Sequence, residues 1–391
     1  MKANHKKVLI LMSNNGGGHI SSSKAIKQII TQHSPKTEVK IVNMTPAISP
    51  VIYRFASNYL PQILIDNWKR LNNPQAAKTL HLINTPIIAA KLIPLLLNFR
   101  PDLIIATHAF SSEEVGFTLK QLQLSTPHLV VLVDPFSIHH AWTSYRQATL
   151  YLLPNRRAAS IFIKRGIAEN KIKIVGHPIR LIPLQLRPLP LPSRKFTIFL
   201  GGSGEGVGQL NQLVIKLLKQ PTVLAKAQLI VVAGKNKTLL LKLKRLQAKY
   251  PQIIFPFGFT KNIYSLIKAS DIVVSKPGPN LMFETLGLGK PIIATGLPLG
   301  QEEGNYQFIK NNHLGFIAPD HRRIIKLLVK LIKSPRLLCQ FSASIKKQQL
   351  ICQDTPQKTW QALKPFFKNP PPDVTSGEGI DFSLKKFLTL L

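Results

Sequence analysis

Two glycine turns occupy matching places in the two halves of the chain, each set between an apolar strand-like run and the start of a helical pattern. Gly16-Gly17-Gly18-His19 follows Val8-Leu9-Ile10-Leu11-Met12 and precedes a helix beginning near Ser21; Gly201-Gly202-Ser203-Gly204 follows Phe196-Thr197-Ile198-Phe199-Leu200. A strand that ends in such a turn and opens into a helix aims free backbone N–H groups, and the positive end of the helix dipole, at an anion in the crevice above it. Two of them require two α/β domains facing one another. The length agrees, since 391 residues exceed one ordinary core and suit two domains of roughly 150 to 200 residues.

Strands expected at Val8–Met12, Val39–Asn43, Asp102–Thr107, Leu129–Asp134, Leu150–Leu153 and Lys173–Val175, with helices at Ser21–Ile30 and Arg156–Arg165, predict a parallel sheet for the first half. Pro50–Asn98 is expected to be helical but interrupted at Pro61, Pro74, Pro86 and Pro94. Its apolar stretch Thr85–Phe99, broken by Lys91 and Pro94, is too short to span a bilayer. Prolines at 178, 183, 188, 190 and 192 mark a linker, after which strands and helices alternate again from Phe196 to a lysine-rich helix ending near Gln353. The expected division is a Rossmann-like domain over 1–180, a proline-rich linker over 181–195, a second Rossmann-like domain over 196–368 and a tail over 369–391. Phe382, Leu384, Phe387 and Leu388 beside Lys385 and Lys386 give that tail the character of a short interfacial helix or of a frayed end.

The charge is extreme: 52 Lys plus Arg against 17 Asp plus Glu leave +35. Such a field draws the chain to polyanions, either an anionic membrane face or, as a mere compositional background, none in particular. With 7% aromatic residues and no nucleic-acid motif, the sequence argues against nucleic acid as the partner. Two cysteines, Cys339 and Cys352, give neither a disulfide framework nor a zinc site and suit a reducing cytoplasm. Met1–Lys7 runs straight into a strand without an apolar h-region, so no secretory signal is expected. Gly204, Gly206 and Gly208 fall one residue short of Gly-x-Gly-x-x-Gly, and Gly-Lys-Ser/Thr is missing, which argues against nicotinamide and ATP chemistry.

At Ser275-Lys276-Pro277-Gly278-Pro279-Asn280 a strand ends in a Pro/Gly turn, and Glu284 follows about one helical turn later. A phosphate there meets free N–H groups, while Glu284 can accept both hydroxyls of a ribose. The plainer reading is a strand-turn-helix with an acid near its cap. Gly300-Gln301-Glu302-Glu303-Gly304-Asn305 gathers the amides and carboxylates that sugar hydroxyls require, or is a solvated loop.

Together with Gly258-Phe259-Thr260-Lys261-Asn262, Ala269-Ser270-Asp271, Glu284-Thr285-Leu286 and Gly289-Lys290-Pro291, these stretches resemble the donor half of glycosyltransferase family 28, in the branch of the monogalactosyldiacylglycerol synthases and bacterial diacylglycerol glucosyltransferases. Met12–Ile26 is similar to that branch's opening motif, and Gly176-His177-Pro178-Ile179-Arg180 to its Gly-x-Pro-Ile. The resemblance runs over most of 7–320 and is most specific over 257–305.

It implies the GT-B fold, two Rossmann-like α/β domains facing across a cleft, with a UDP-sugar in the rear domain and a lipid acceptor at the front one. It also implies inversion at the anomeric carbon, no metal, and no cofactor beyond the UDP-sugar donor. Carried over, Glu284 binds the ribose, and Gly202, Ser203 and Gly204 with the turn at Gly278, Pro279 and Asn280 bind the diphosphate. Gln301 and Glu302, with Asn305 in the same cluster, take the sugar hydroxyls, and the uracil lies against backbone near Phe257–Phe259. His19 becomes the general base, a role suited by an ordinary histidine pKa near operating pH. Asp134 is its rival. The family pattern there is Thr-Asp followed by His and Trp; this chain has Val133-Asp134, then His139-His140-Ala141-Trp142. Gly17, Gly18, His108, His139 and Trp142 fall on the acceptor side, and His177 is structural.

Between Val51 and Arg100 the cations Arg54, Lys69, Arg70, Lys78, Lys91 and Arg100 face one acid, Asp66, among many Leu, Ile and Pro residues. That composition suits docking on anionic lipid at the cytoplasmic face of the cell membrane, unless the apolar residues are simply core. Diacylglycerol is the favoured acceptor. A polyprenyl-linked N-acetylglucosaminyltransferase of peptidoglycan synthesis has a Gly-Gly-Thr-Gly-Gly-His opening that this chain lacks, and a UDP-N-acetylglucosamine 2-epimerase needs more acids. A non-catalytic, polyanion-binding GT-B protein is the remaining alternative, against which the retained His19, Glu284 and Gln301 argue.

Overall fold

The computed structural model describes residues 5–14, 17–45, 60–201, 210–296 and 300–368. Among the described residues, twelve strands form two all-parallel six-stranded sheets. The first contains β1 (Lys7–Met12), β2 (Glu38–Asn43), β3 (Leu103–Ala106), β4 (His128–Val131), β5 (Leu150–Leu153) and β6 (Ile172–Ile174) in the order β2-β1-β3-β4-β5-β6. The second contains β7 (Phe196–Gly201), β8 (Ala227–Val232), β9 (Ile254–Phe257), β10 (Ile272–Ser275), β11 (Ile292–Ala294) and β12 (Gly315–Ile317) in the order β12-β11-β10-β7-β8-β9.

Strand periodicity explains why the inner strands are predominantly apolar and buried, while the edge strands β2, β6 and β12 keep exposed or half-exposed positions. Successive side chains leave opposite faces, and both faces are covered. Val8 and Ile10 pack with Ile26 and Ile30 of the helix Gly17–His33, whereas Leu9 and Leu11 pack with Ile88, Leu92 and Leu96 of the helix Pro74–Phe99. In the second sheet Ile198 and Leu200 meet Leu213 and Val214, while Phe199 meets Leu266 and Ile267 on the other side. The strand order reverses between β1 and β3 and between β7 and β10, so the carboxyl ends of those strands open the crevices where ligands bind in such sheets.

The prolines divide into two kinds. Pro61 and Pro74 stand at the first positions of the helices Pro61–Leu71 and Pro74–Phe99, where a missing N–H costs nothing; the Asn73 side chain caps the second by accepting from Ala76 N–H. Pro86 and Pro94 do not interrupt the helix as expected, and it runs unbroken for 26 residues. The carbonyls that lose their partners belong to Leu82, 69% exposed, and to exposed Ala90, so water can serve them, while Ala89, Leu92, Ile93 and Leu96 hold the opposite stripe in the core. By length and composition this helix can cross a membrane, a correction to the shorter segment expected from sequence. Here one stripe of it is buried in the first domain.

Strand β12 and the helix Glu303–Asn311 carry no anticipated pattern. Gly315, at φ 151°, lets β12 approach β11 where a Cβ would overlap the Ile292 carbonyl. The helix Ser342–Leu363 begins against Met282 and Leu286 but ends in the first domain, with Leu363 in its core and Trp360 stacked on His33 at 4.7 Å. The last helical residues placed in 196–368 therefore pack with 1–180. The tail residues Phe382 to Leu388 lie outside the described residues.

Candidate active site between the two sheets

The helix Gly17–His33 places His19 in its first turn, facing the end of β3. His19 Nδ1 stands 2.7 Å from the Thr107 carbonyl. A carbonyl only accepts, so Nδ1 carries the hydrogen and Nε2 is the unprotonated atom of the neutral ring. Thr107 is itself fixed, its hydroxyl donating to the Leu11 carbonyl (3.1 Å) and standing 2.9 Å from Ser23 Oγ. His108 meets the His19 ring edge-on at 4.8 Å, and burial, then the proximity of His19 and His81, hold its pKa well below the usual histidine value. Space beside Gly17 is open, and a Cβ on Gly18 would stand 3.6 Å from Asn280 Oδ1.

Asp134 follows β4 rather than ending it. Burial raises its carboxyl pKa, opposed by the charge of His19 and by Trp142 Nε1–H, which donates to Oδ2 at 2.8 Å. Trp142 is 1% exposed, which corrects its placement on the acceptor wall: the indole is core and acts on Asp134. His139 Nδ1 accepts from Ala141 N–H (3.1 Å). Burial first, then His140, pull its pKa to about 4.

Behind this wall lies a cluster that the sequence did not announce. Buried His81 places Nδ1 2.8 Å from Glu114 Oε1 and Nε2 2.7 Å from Ser144 Oγ and 3.3 Å from Glu113 Oε2. Burial favours the neutral ring, but the Glu114 hydrogen bond and both carboxylates raise its pKa. Ser144 donates to the Ala141 carbonyl (2.9 Å), so its oxygen receives from His81, and the Ser–His–Glu array is a brace between helices rather than an activated nucleophile.

On the donor side, Gly278 caps the helix Pro279–Gly287 with Pro279 at the first position. The Met282 N–H is the first to bond within that helix, to Gly278 O, which leaves those of Asn280 and Leu281 pointing outward. Asn280 reaches across the domains: Nδ2 donates to Ser22 Oγ at 3.1 Å, and Oδ1 stands 3.4 Å from His177 Nε2. His177 is stacked on Phe283 and is kept neutral by burial, its pKa pulled to about 4. Glu284 is 4% exposed. Its Oε1 accepts from Arg180 Nε–H (3.0 Å) and lies 3.2 Å from the Tyr264 hydroxyl, which also donates to the Arg180 carbonyl (2.6 Å). One oxygen of the acid assigned to a ribose is therefore already committed to Arg180, at the end of the first domain, and burial raises the carboxyl pKa despite Arg180.

Gly300–Glu302 forms a short turn leading into the helix Glu303–Asn311. A Cβ on Gly278 would stand 4.0 Å from Glu302 Oε1, so Glu302 borders the Gly278 turn. Asn305 is 1% exposed, its Nδ2 donating to Pro277 O at 2.8 Å; it braces that turn from behind rather than lining the cleft. Phe259 is 64% exposed with Lys235 6.0 Å over its ring. Gly202, Ser203, Gly204 and the Gln301 side chain lie outside the described residues. Among the described residues, no cluster of three His, Cys, Asp or Glu could hold a metal. Sequence reasoning missed the pairing of Arg180 and Tyr264 with Glu284, because Arg180 lies far from Glu284 in the chain; the Ser21-Ser22-Ser23 run, small enough for close helix approach, was the one local signal for Ser22.

Residues 19–179 match the family model for monogalactosyldiacylglycerol (MGDG) synthase, and residues 197–348 match the glycosyltransferase family 28 C-terminal domain. The chain is 28% identical over 348 residues to monogalactosyldiacylglycerol synthase 1, chloroplastic, of Arabidopsis thaliana, covering 83% of this chain and 64% of that protein. It is 27% identical over 350 residues to the Spinacia oleracea synthase, covering 82% and 65%. The chain thus spans a little under two thirds of the length of these curated relatives. Among solved structures it resembles Anabaena HepE in complex with UDP-glucose (TM-score 0.54, 15% identity, 93% of this chain and 100% of that one) and Medicago truncatula UGT71G1 complexed with UDP-glucose (TM-score 0.60, 12% identity, 93% and 98%). Two facing six-stranded sheets of this order are the GT-B fold. With its front half matched by the synthase model and its rear half by the family 28 domain, the chain belongs to glycosyltransferase family 28, in the monogalactosyldiacylglycerol synthase branch.

Proposed function

We propose that this protein is an inverting glycosyltransferase that moves a hexose from a UDP-sugar to diacylglycerol, using no cofactor beyond the donor. The observation that carries the reading is the His19 tautomer: Thr107 holds the Nδ1 proton, so Nε2 is the base, next to the point where Asn280 brings the donor helix to Ser22. The acceptor hydroxyl gives its proton to Nε2 as its oxygen bonds the anomeric carbon. The bond from that carbon to the diphosphate breaks, and its electron pair leaves with UDP toward the N–H groups of Asn280 and Leu281. Asp134 stabilises the imidazolium that forms.

The membrane side of the proposal rests on the helix Pro74–Phe99. Leu82, Ile83, Ile87 and Leu97 are exposed on it with Lys78, and Ile63, Lys69 and Arg70 are exposed on the preceding helix. Apolar residues flanked by Lys and Arg suit the anionic cytoplasmic face of a cell membrane, each nearby cation adding about 1 kcal/mol. The test is to incubate purified protein with labelled UDP-glucose or UDP-galactose and diacylglycerol vesicles, and separately to measure thermal stabilisation by UDP. A glycolipid product and UDP-dependent stabilisation are expected. Salt-sensitive oligonucleotide binding with no UDP effect would overturn the proposal in favour of a polyanion-binding protein.

A further inference from the structure

The turn that carries Gln301 and Glu302 is gripped by the first domain from two sides. On one, Gly304 N–H donates to Ser137 Oγ at 2.9 Å, and a Cβ on Gly304 would stand 2.6 Å from Phe136 Cβ. On the other lies the Trp68 indole, where a Cβ on Gly300 would stand 2.7 Å from Trp68 Cγ. Trp68 comes from the helix Pro61–Leu71, whose Leu64, Ile65, Trp68 and Leu71 are half-buried while Gln62, Ile63, Asp66, Asn67, Lys69 and Arg70 are exposed. The end of that helix is tied to the segment carrying His139 and His140, because His140 N–H donates to Asn72 Oδ1 (2.8 Å). Trp68 in turn faces the edge of His139 at 6.0 Å.

A hexose presents hydroxyls around its rim and apolar C–H groups on its faces. A polar turn and an indole set against each other match both. We infer that Trp68 is a specificity-determining residue of the hexose subsite, packing on the C–H face of the donor sugar and keeping water from the anomeric carbon; this rests on the transferase reading above. Without the indole, a water oxygen bonds that carbon, the bond to the diphosphate breaks with its electron pair leaving on UDP, and the water proton passes to His19.

The test compares wild type, W68F and W68A. Calorimetry gives the affinities for UDP and for UDP-hexose, and UDP release with and without diacylglycerol gives the ratio of hydrolysis to transfer. All three proteins should bind UDP alike. W68A should lose roughly three- to tenfold of the affinity that the hexose adds, with a similar rise in the hydrolysis ratio, and W68F should restore most of both. G300A, whose methyl displaces the indole without removing it, should reproduce W68A if the truncation proves unstable. UDP affinity together with a W68A and a G300A that match wild type in both readouts overturns this inference alone; a wild type that binds no UDP overturns the transferase reading and this inference together.

Discussion

Asn280 Nδ2–H donates to Ser22 Oγ at 3.1 Å, a bond between residues 258 positions apart that joins the helix beginning at the Gly278 turn to the helix beginning at Gly17. The N-termini of these two helices, one from each domain, are therefore held side by side. N280A and S22A should each lower kcat/KM for the donor, and the double variant should lose less than their sum. A double-mutant cycle on kcat/KM is expected to return a coupling of about 1 kcal/mol.

H19A should reduce kcat by about 10²- to 10⁴-fold while leaving UDP affinity in place, as removal of a general base does. Asp134 must be ionised to assist, and burial raises its pKa. Activity should therefore fall as the pH drops through that raised value, and D134N, which can still accept from Trp142, should remove this acid limb at a lower plateau. Rate–pH profiles of the two variants check both statements.

Glu284 is bonded to Arg180 through one carboxylate oxygen, and the proposed function gives it the donor ribose as well. E284A leaves the Arg180 guanidinium without its counterion in a largely buried place, at a cost of about 3 kcal/mol. Thermal melting should show that loss in E284A, and calorimetry a weaker UDP affinity. R180A should lower the melting temperature too, and the two changes together should cost less than their sum.

The histidines predict acid sensitivity of the fold. Burial pulls the His128 pKa to about 3, and neither ring nitrogen has a hydrogen-bond partner. Because the folded value lies below the unfolded one of about 6.5, its contribution is complete above that pH and shrinks as the pH falls toward the folded value, by up to about 1.4 kcal/mol per unit. Denaturant unfolding at pH 7 and pH 5 should show a drop in stability, and H128F should make it shallower by one proton's worth.

On the outer stripe of the helix Pro74–Phe99, I83E and I87E place acids where apolar side chains are exposed. Vesicle sedimentation should show weaker binding to anionic lipid with an unchanged melting temperature. Equal binding by the variants would remove this stripe from the docking surface.

The inner strands were legible because each is a short, mostly apolar run between turn residues, a pattern that a sheet covered on both faces requires. Ala227–Val232 and Leu150–Leu153 stand where the alternation puts them. The helix starts at Gly17 and after Gly278 were legible for the same local reason: a strand-turn-helix needs specific residues at adjacent positions. Pro86 and Pro94 misled, since propensity could not foresee that the freed carbonyls face water while the opposite stripe is packed. β12 was too short to leave a period, and Trp142 shared the polar neighbourhood of true cleft residues although its ring is core.

Taken alone, the chain determined two parallel α/β domains, the crevices at their switch points and the residue types that line them, because those follow from contacts between near neighbours. Only the tertiary structure decided that Thr107 sets the His19 tautomer, that Arg180 claims one oxygen of Glu284, and that Trp68 meets Gly300. Each of these pairs is separated by roughly ninety residues or more, and no local period or propensity encodes an interaction that exists only when the two domains close on each other or the sheet brings its strand ends together.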